Sequence, residues 1–379
     1  MSFLTLGFIK SIILPKEVNY YENRPANKIS NINIKEFVNG KLQDELELAL
    51  ADQIPFSQRM KKYYNLYSNS VADKMLNLCI KQYFNNQYFY ITSGVYRIGA
   101  EGNLVFGQRY LSYEKDDLDV RINNINELNQ KNPNLKFYLY YIEKDTDIYF
   151  HTNEKSNLAE YVLENTNIPK ENKGKLEINS FNEFKELFYK TDHHWNYKGS
   201  YNAYLQILKM IKPTENAVEP LETIKISDNF SGSKASSAGV KDIYIEPFYV
   251  YRFELPTHDT YISKNKKEYG YNNIEFIQND NEISYGKFYG GDEGEVIFDY
   301  NNPQAENILI FGESYDNAII ELLAAHFNKT YCVDLRAYEM DLGEKFNFNK
   351  YIENNDISKI VFIGNIDFYV MEQFLVEVE

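Results

Sequence analysis

The C-terminal part of the chain shows short apolar runs that alternate with helical patterns. The apolar runs cover residues 308–311, 331–334 and 360–363, and helical patterns separate them at 316–326 and around 346–352. Strands that alternate with helices predict a parallel sheet covered by helices on both faces. Because ligands bind at the carboxyl ends of the strands in such sheets, we expect a functional site at that edge.

The preceding part of the chain predicts one more buried strand and several helices. Residues 136–142 form a continuous aromatic and aliphatic run, as in a strand buried on both faces. Apolar residues recur at helical spacing within 35–82, 117–131 and 198–211. These elements extend the α/β pattern toward the N-terminus.

Other regions are rich in β-like patterns. Residues 88–98 and 104–106 are predicted strands, joined by the turn-forming cluster 99–103. Residues 214–304 are rich in Tyr, Gly, Asn and Asp and contain short alternating runs. This composition predicts a β-rich insertion.

The chain is therefore predicted to have two parts. Residues 1–84 form an N-terminal arm with helices, in which 16–33 is an extended arm, and residues 85–379 form the α/β domain. Residues 3–14 are apolar but carry a lysine, and a membrane span needs about 20 apolar residues. The segment also lacks the features of a signal peptide. It is either a buried helix or the remnant of an incomplete membrane anchor.

Composition and charge narrow the functional classes. The formal net charge of −15 repels nucleic-acid phosphates, so nucleic acid is not an expected partner. Two cysteines, Cys79 and Cys332, exclude a disulfide-dense scaffold and a cysteine-rich zinc site. His193 and His194 are adjacent, and neighbouring residues rarely bind one ion together, so no metal site is expected. The 34 tyrosines fit either a sugar-facing surface or AT-rich codon usage.

Ser314 has the setting of a serine nucleophile. It follows an apolar strand and Gly312 and precedes a predicted helix, so its hydroxyl would lie at the carboxyl edge of the sheet. Backbone N–H groups at a helix N-terminus suit a developing oxyanion. The alternative interpretation is an ordinary helix N-cap, a common role for serine at such a junction.

A serine nucleophile needs a base, and the base needs an orienting carboxylate. In an extended segment, residues i and i+2 point the same way, so Asp192 would lie beside His194 while His193 points to the opposite side. Asn196 would cap the following helix, and Gly199 in its first turn would allow close backbone packing. The alternative is a pair of surface or capping histidines.

The sequence Asp-His-His-Trp at 192–195 resembles the motif that names the bacterial DHHW proteins. These are similar to the alginate O-acetyltransferase group of the SGNH-hydrolase-like superfamily. Further segments resemble family motifs in the same order, namely 22–25, 52–56, 99–106, 311–315 and 333–336. The resemblance covers most of the chain. Glu313 is a departure, because the family usually has Asp before the serine and an extra methylene can shift the hydrogen bonds there.

The resemblance implies an α/β, SGNH-hydrolase-like fold and an O-acetyltransferase of an extracellular or cell-surface polysaccharide. Ser314 would be the nucleophile that carries an acetyl-serine intermediate, His194 the base and Asp192 its orienting carboxylate. It also implies no soluble cofactor, an acetyl donor supplied by a membrane-bound acyltransferase, and an extracytoplasmic, membrane-anchored or cell-surface location.

Four residues are further candidates for substrate binding or the oxyanion hole. They are Trp195, Tyr315, Arg336 and Asn365. Trp195 can equally lie in the core, Arg336 in a surface ion pair, and Asn365 in a turn. Two other functions also fit the sequence: a carbohydrate esterase or deacetylase with the same triad, and a non-catalytic surface or scaffold protein on the same fold.

Overall fold

A computed structural model describes most of the chain. The described residues are 15–19, 24–28, 41–53, 56, 59–60, 63–64, 66–68, 70–71, 87–99, 101–241, 243–266 and 283–377. The apolar segment 3–14, residues 22–23 and Cys79 lie outside them. In the described part of the chain, no helix is long and apolar enough to cross a bilayer.

The described elements alternate between strands and helices over most of the chain. The strands are β1 (Val18–Asn19), β2 (Arg24–Pro25), β3 (Phe89–Thr92), β4 (Val95–Ile98), β5 (Asn103–Phe106), β6 (Lys136–Ile142), β7 (Ile148–Tyr149), β8 (Glu154–Lys155), β9 (Lys173–Leu176), β10 (Glu222–Phe230), β11 (Glu246–Arg252), β12 (Asp259–Ile262), β13 (Asn265–Lys266), β14 (Glu295–Asp299), β15 (Asn307–Phe311), β16 (Lys329–Val333) and β17 (Ile357–Gly364). The α-helices are α1 (Lys41–Gln53), α2 (Leu111–Lys131), α3 (Leu158–Asn165), α4 (Phe181–Leu187), α5 (Tyr197–Ile211), α6 (Ser233–Ser237), α7 (Tyr285–Tyr289), α8 (Ile320–Ala324), α9 (Leu335–Leu342), α10 (Phe348–Asn354) and α11 (Ile366–Val370).

The chain divides into two compact units by its internal contacts. The first unit contains residues 1–104 and 231–245, and the second contains 105–230 and 246–379. This division does not test the predicted domain boundary after residue 84, which stays a prediction.

In the first unit, two buried side chains at the end of α1 hold the extended arm. Oδ2 of Asp52 accepts the backbone N–H of Asn27 at 2.8 Å. The side-chain amide of Gln53 accepts the N–H of Lys16 at 2.7 Å and donates to the carbonyl of Asn27 at 3.0 Å. Each bond satisfies a backbone group of the arm, which makes few backbone hydrogen bonds within its own short strands. Asp52, in the motif-like segment 52–56, therefore holds the arm in place.

The second unit is built on an eight-stranded sheet of order β13-β12-β14-β16-β15-β17-β6-β9. The five strands from β16 to β9 run parallel to one another. Their apolar sequences agree with this arrangement, because a parallel sheet is buried on both faces. All residues of β6 except Lys136 are buried. The predicted α/β fold with a parallel sheet is confirmed.

The predicted β-rich insertion 214–304 contains strands, but they lie in two places. β10 and β11 form a separate antiparallel pair. β12, β13 and β14 instead continue the central sheet as an antiparallel edge next to β16. Part of the predicted insertion therefore extends the central sheet. Residues 267–282 of this region lie outside the described part of the chain.

Helices cover both faces of the central sheet. On one face, apolar residues of α2, α3, α9, α10 and α11 form a common core with side chains of β6, β15, β16 and β17. On the other face, the hydroxyl of Tyr140 on β6 donates to Gln206 on α5 at 3.0 Å. The sheet is thereby fixed on both sides, and its carboxyl edge is left for loops.

Candidate active site

Ser314 lies in a turn that follows the central strand β15. The backbone N–H of Asp316 donates to the carbonyl of Glu313 at 2.9 Å, so Ser314 and Tyr315 occupy the two central positions of the turn. Their own N–H groups donate to no other atom among the described residues. A Cβ atom at Gly312 would lie 1.9 Å from Oδ2 of Asp316, so any larger residue there would displace the Asp316 side chain.

The predicted helix 316–326 is shorter than expected. It begins as a 3-10 turn at Asp316–Ala318, and α8 covers only Ile320–Ala324. The interruption lies at Ile319, whose φ of −129° is outside the helical region. A long helix therefore does not point at Ser314, and the available oxyanion donors are the N–H groups of the turn itself.

The segment that carries Asp192 and His194 is a closed loop between α4 and α5. The backbone N–H of Tyr189 donates to the carbonyl of His194 at 3.2 Å, and that of Asn196 to the carbonyl of Leu187 at 2.8 Å. The Asn196 side chain accepts two backbone N–H groups in the first turn of α5. The predicted N-cap at Asn196 is confirmed, and it fixes where the loop ends.

Asp192 and His194 come together through a turn and not through an extended segment. Oδ1 of Asp192 accepts the backbone N–H of His194 at 2.9 Å and lies 2.6 Å from Nδ1 of its ring. Aspartate often bonds the backbone two residues onward in this way. The predicted orientation of His193 is wrong, because its Nδ1 lies 3.7 Å from Oδ1 of Asp192.

His194 connects Asp192 to Ser314 in one chain of hydrogen bonds. Its Nε2 lies 2.8 Å from Oγ of Ser314. A carboxylate only accepts hydrogen bonds, so Nδ1 carries the ring proton and Nε2 accepts from the serine hydroxyl. Burial raises the pKa of Asp192, but the charge and hydrogen bond of His194 outweigh burial and hold that pKa well below its usual range. Asp192 and His194 are buried and Ser314 is half-buried.

Tyr285 is a site residue that the sequence analysis missed. Its ring lies parallel to that of His194, with centroids 3.7 Å apart. Its hydroxyl accepts from Nε1 of Trp195 at 3.1 Å and donates to the carbonyl of Tyr315 at 3.3 Å. Ser284 caps the short helix that carries it, and this cap was the available sequence signal. Nothing in the local sequence pairs this helix with His194.

Two of the four further candidates pack against the histidine loop. The Tyr315 hydroxyl donates to the backbone carbonyl of His193, and its ring centroid lies 4.9 Å from that of His194. Trp195 is fully buried, with its ring 5.5 Å from that of Tyr315. Both side chains hold the loop against the turn that carries Ser314.

The side chains of the other two candidates form an ion pair and a helix cap. Arg336 forms a two-point ion pair with Asp334, with Nε 3.0 Å from Oδ1 and the NH2 nitrogen 2.5 Å from Oδ2. Asn365 caps α11 by accepting the N–H of Asp367 at 2.9 Å. Its side-chain amide donates to Oε1 of Glu313 at 2.5 Å. In the described structure, neither side chain is hydrogen-bonded to the serine of the turn.

Glu313, where the sequence departs from the family pattern, is buried behind that turn. Its Oε1 accepts the side-chain amide of Asn365 and also its backbone N–H, the latter at 2.9 Å. Burial raises the pKa of Glu313 to about 7, although the charge of Lys144 and the bond from Asn365 oppose the shift. The side chain therefore titrates close to neutral pH.

We expect the Glu313→Gln substitution to change the pH dependence of stability. The pKa of Glu313 is higher in the folded protein than in the unfolded chain, so folding favours the protonated acid. The free energy of unfolding of the parent therefore decreases as the pH rises from about 4.3 toward 7. Glutamine has no such titration, so the variant should gain stability relative to the parent across that interval, by a few kcal/mol at about pH 8. Thermal unfolding from pH 5 to 8 measures it, and a constant difference would contradict it.

The close packing around Gly199 leads to a second prediction on stability. A Cβ atom there would lie 2.2 Å from the carbonyl oxygen of Leu187, which also closes the histidine loop, and 3.0 Å from Cβ of Trp195. We expect Gly199→Ala to lower the free energy of unfolding by about 3 kcal/mol, because backbone must move. Gly286→Ala is the control, since nothing lies within 4 Å of its Cβ position. Urea denaturation compares the two, and equal effects would contradict the prediction.

The serine follows a central parallel strand and the histidine comes from a separate loop, and the α/β fold that holds them is SGNH-hydrolase-like. The family model described as DHHW protein matches residues 118–333, more than half of the chain. The chain belongs to the DHHW family. None of the curated proteins matches it in sequence.

Solved structures share this fold at low sequence identity. PatB1 of Bacillus cereus with a sulfonyl adduct matches with a TM-score of 0.57 and 18% identity, over 77% of this chain and 100% of that one. A DHHW family protein of Eubacterium siraeum matches with a TM-score of 0.58 and 17% identity, over 77% and 99%. Such identities establish a common fold and leave the function to be argued from the site.

Proposed function

We propose that this protein is an O-acetyltransferase of an extracellular or cell-surface polysaccharide, with Ser314 as the nucleophile. The observation that supports the proposal is the hydrogen-bonded chain from Asp192 through His194 to Ser314. The serine is the half-buried end of this chain and the carboxylate is its buried end. This is the arrangement that activates a serine hydroxyl for acyl transfer.

In the first half of the reaction, Ser314 takes the acetyl group from its donor. Nε2 of His194 accepts the hydroxyl proton while Oγ attacks the acetyl carbonyl carbon. The negative charge that develops on the carbonyl oxygen is stabilised by the N–H groups of Ser314 and Tyr315. The bond to the donor oxygen then breaks, and that oxygen takes the proton from His194. Asp192 stabilises the imidazolium ion and keeps the ring in place.

In the second half, a sugar hydroxyl replaces the serine. The hydroxyl gives its proton to Nε2 of His194 and attacks the acetyl-serine carbonyl. The bond to Oγ breaks, Ser314 regains its proton from His194, and the acetylated sugar leaves. Protons and acyl groups balance without a soluble cofactor.

The donor and location follow from the family resemblance. We infer that a membrane-bound acyltransferase supplies the acetyl group and that the reaction takes place outside the cytoplasm, at the membrane or cell surface. The net charge of −15 agrees with an acceptor other than nucleic acid. A polysaccharide presents the hydroxyl groups that this chemistry needs.

The test uses the purified chain of residues 1–379 with 4-methylumbelliferyl acetate as donor. Cello-oligosaccharides and chito-oligosaccharides serve as acceptors, and mass spectrometry detects acetylated serine and acetylated sugar. We expect an acetyl-enzyme and transfer that exceeds hydrolysis. Release of acetate that no acceptor reduces would favour a carbohydrate esterase with the same residues, and the absence of both products would contradict an enzyme.

A further inference from the structure

Asp192, His193 and His194 bring three metal-binding atoms into one small volume. One ligand atom of each residue lies within 4.8 Å of the other two. Oδ1 of Asp192 is 2.6 Å from Nδ1 of His194 and 3.7 Å from Nδ1 of His193. The sequence argument against a metal site requires neighbouring side chains to diverge, whereas these converge.

We propose that Asp192, His193 and His194 form a zinc site whose occupation switches the enzyme off. One carboxylate and two imidazoles are ordinary ligands of zinc, and a three-residue set leaves a fourth position for water. Two ligands of a tetrahedral zinc ion lie about 3.3 Å apart at normal bond lengths. At 3.7 Å, Asp192 and His193 are slightly too far apart, and at 2.6 Å the hydrogen-bonded Asp192 and His194 are too close. Zinc binding therefore requires a small rotation of His193 and a small opening of the hydrogen-bonded pair.

His193 gives the ion a path from solvent. Its side chain is 29% exposed, whereas those of His194 and Asp192 are 7% and 5% exposed. His193 is the most exposed of the three ligands, so an ion from solvent would meet it first. The site therefore combines a buried pair with one partly exposed ligand.

Zinc bound to Nδ1 of His194 prevents this histidine from acting as the base. This consequence rests on the proposed function. In the free site Nδ1 holds the ring proton and Nε2 faces Oγ of Ser314 at 2.8 Å. When zinc bonds to Nδ1, the ring keeps one proton, which moves through solvent to Nε2. A protonated Nε2 cannot accept the serine proton, so acyl transfer stops while the metal is bound.

The experiment measures zinc binding and ester hydrolysis separately. Isothermal titration of ZnCl2 into the purified chain gives the affinity, and Co²⁺ in place of zinc reports the geometry through its visible absorption. Hydrolysis of 4-methylumbelliferyl acetate is followed with and without zinc, each variant relative to its own zinc-free rate. His193→Gln removes one ligand but keeps the carbonyl that accepts the Tyr315 hydroxyl. His151→Gln, at an exposed histidine of another loop, is the matched control.

We expect one zinc ion per chain, inhibition that a chelator reverses, and binding at least about tenfold weaker in His193→Gln. His151→Gln should behave like the parent. Equal binding or inhibition in His193→Gln would overturn the proposal, as would a zinc-loaded protein that is faster than the zinc-free one. Zinc binding without any hydrolysis would keep the metal site and reject the proposed function, and hydrolysis without zinc binding would do the reverse.

Discussion

Replacing Ser314 with alanine is expected to lower acetyl transfer and ester hydrolysis by at least about 10⁴-fold. Alanine removes the oxygen that bonds the acetyl carbon, and His194 then has no proton to accept. The turn should keep its backbone form, since its closing bond runs between Glu313 and Asp316. Initial rates with 4-methylumbelliferyl acetate measure the loss, and intact mass shows whether an acetyl-enzyme forms.

A matched serine variant separates chemistry from folding. Ser358 lies at the opposite edge of the same sheet, where its Oγ donates to the carbonyl of Asn307 at 3.3 Å. Ser358→Ala should retain the parent rate. A sulfonyl fluoride, which loses fluoride to a nucleophilic serine, should label the parent and Ser358→Ala but not Ser314→Ala. Hydrolysis by Ser314→Ala close to the parent rate would refute the assigned nucleophile.

The Asp192→Asn substitution should lower turnover by about 10⁴-fold while the protein stays folded. The asparagine amide donates to Nδ1 of His194, so the ring proton moves to Nε2 and the ring cannot act as a base. The negative charge that stabilises the imidazolium ion is also lost. The rate constant with saturating ester and the circular dichroism spectrum measure the two properties.

Asp228→Asn is the control for Asp192→Asn, because among the described residues Asp228 pairs only with the exposed Lys225, at 2.8 Å. It should leave turnover unchanged.

Since the pKa of Asp192 is lower in the folded protein than in the unfolded chain, the ionised carboxylate stabilises the parent protein. This stability is present above about pH 4 and is lost as the pH falls. Asp192→Asn should lack this dependence. An active Asp192→Asn variant would mean that His194 is oriented by another group.

The central strands are predictable because burial on both faces leaves continuous apolar runs. The run at 136–142 coincides with β6, and the runs at 308–311 and 360–363 lie within β15 and β17. The antiparallel edge of the sheet is not predictable in the same way. β12 and β14 are four and five residues long, and β14 pairs with β16, which comes later in the chain. No local pattern specifies that partner.

The candidate site is predictable in its residue types but not in its geometry. Asp192 and His194 meet as expected, yet a bond from Asp192 to the backbone brings them together and turns His193 toward the same carboxylate. The stacking of Tyr285 on His194 joins segments about ninety residues apart, as its hydrogen bond with Trp195 also does. Contacts of this kind depend on the assembled sheet and leave no periodic signal in the sequence.

The order of the strands also determines when this site can form during protein synthesis. β15, which precedes Ser314, is held between β16 and β17, and β17 connects it to β6. Both flanking strands are made after β15, although His194 is made 120 residues before the serine that it contacts. A growing chain therefore cannot assemble the four central strands until residue 364 has left the ribosome. A chain exported in unfolded form would bring Ser314 and His194 together only after export.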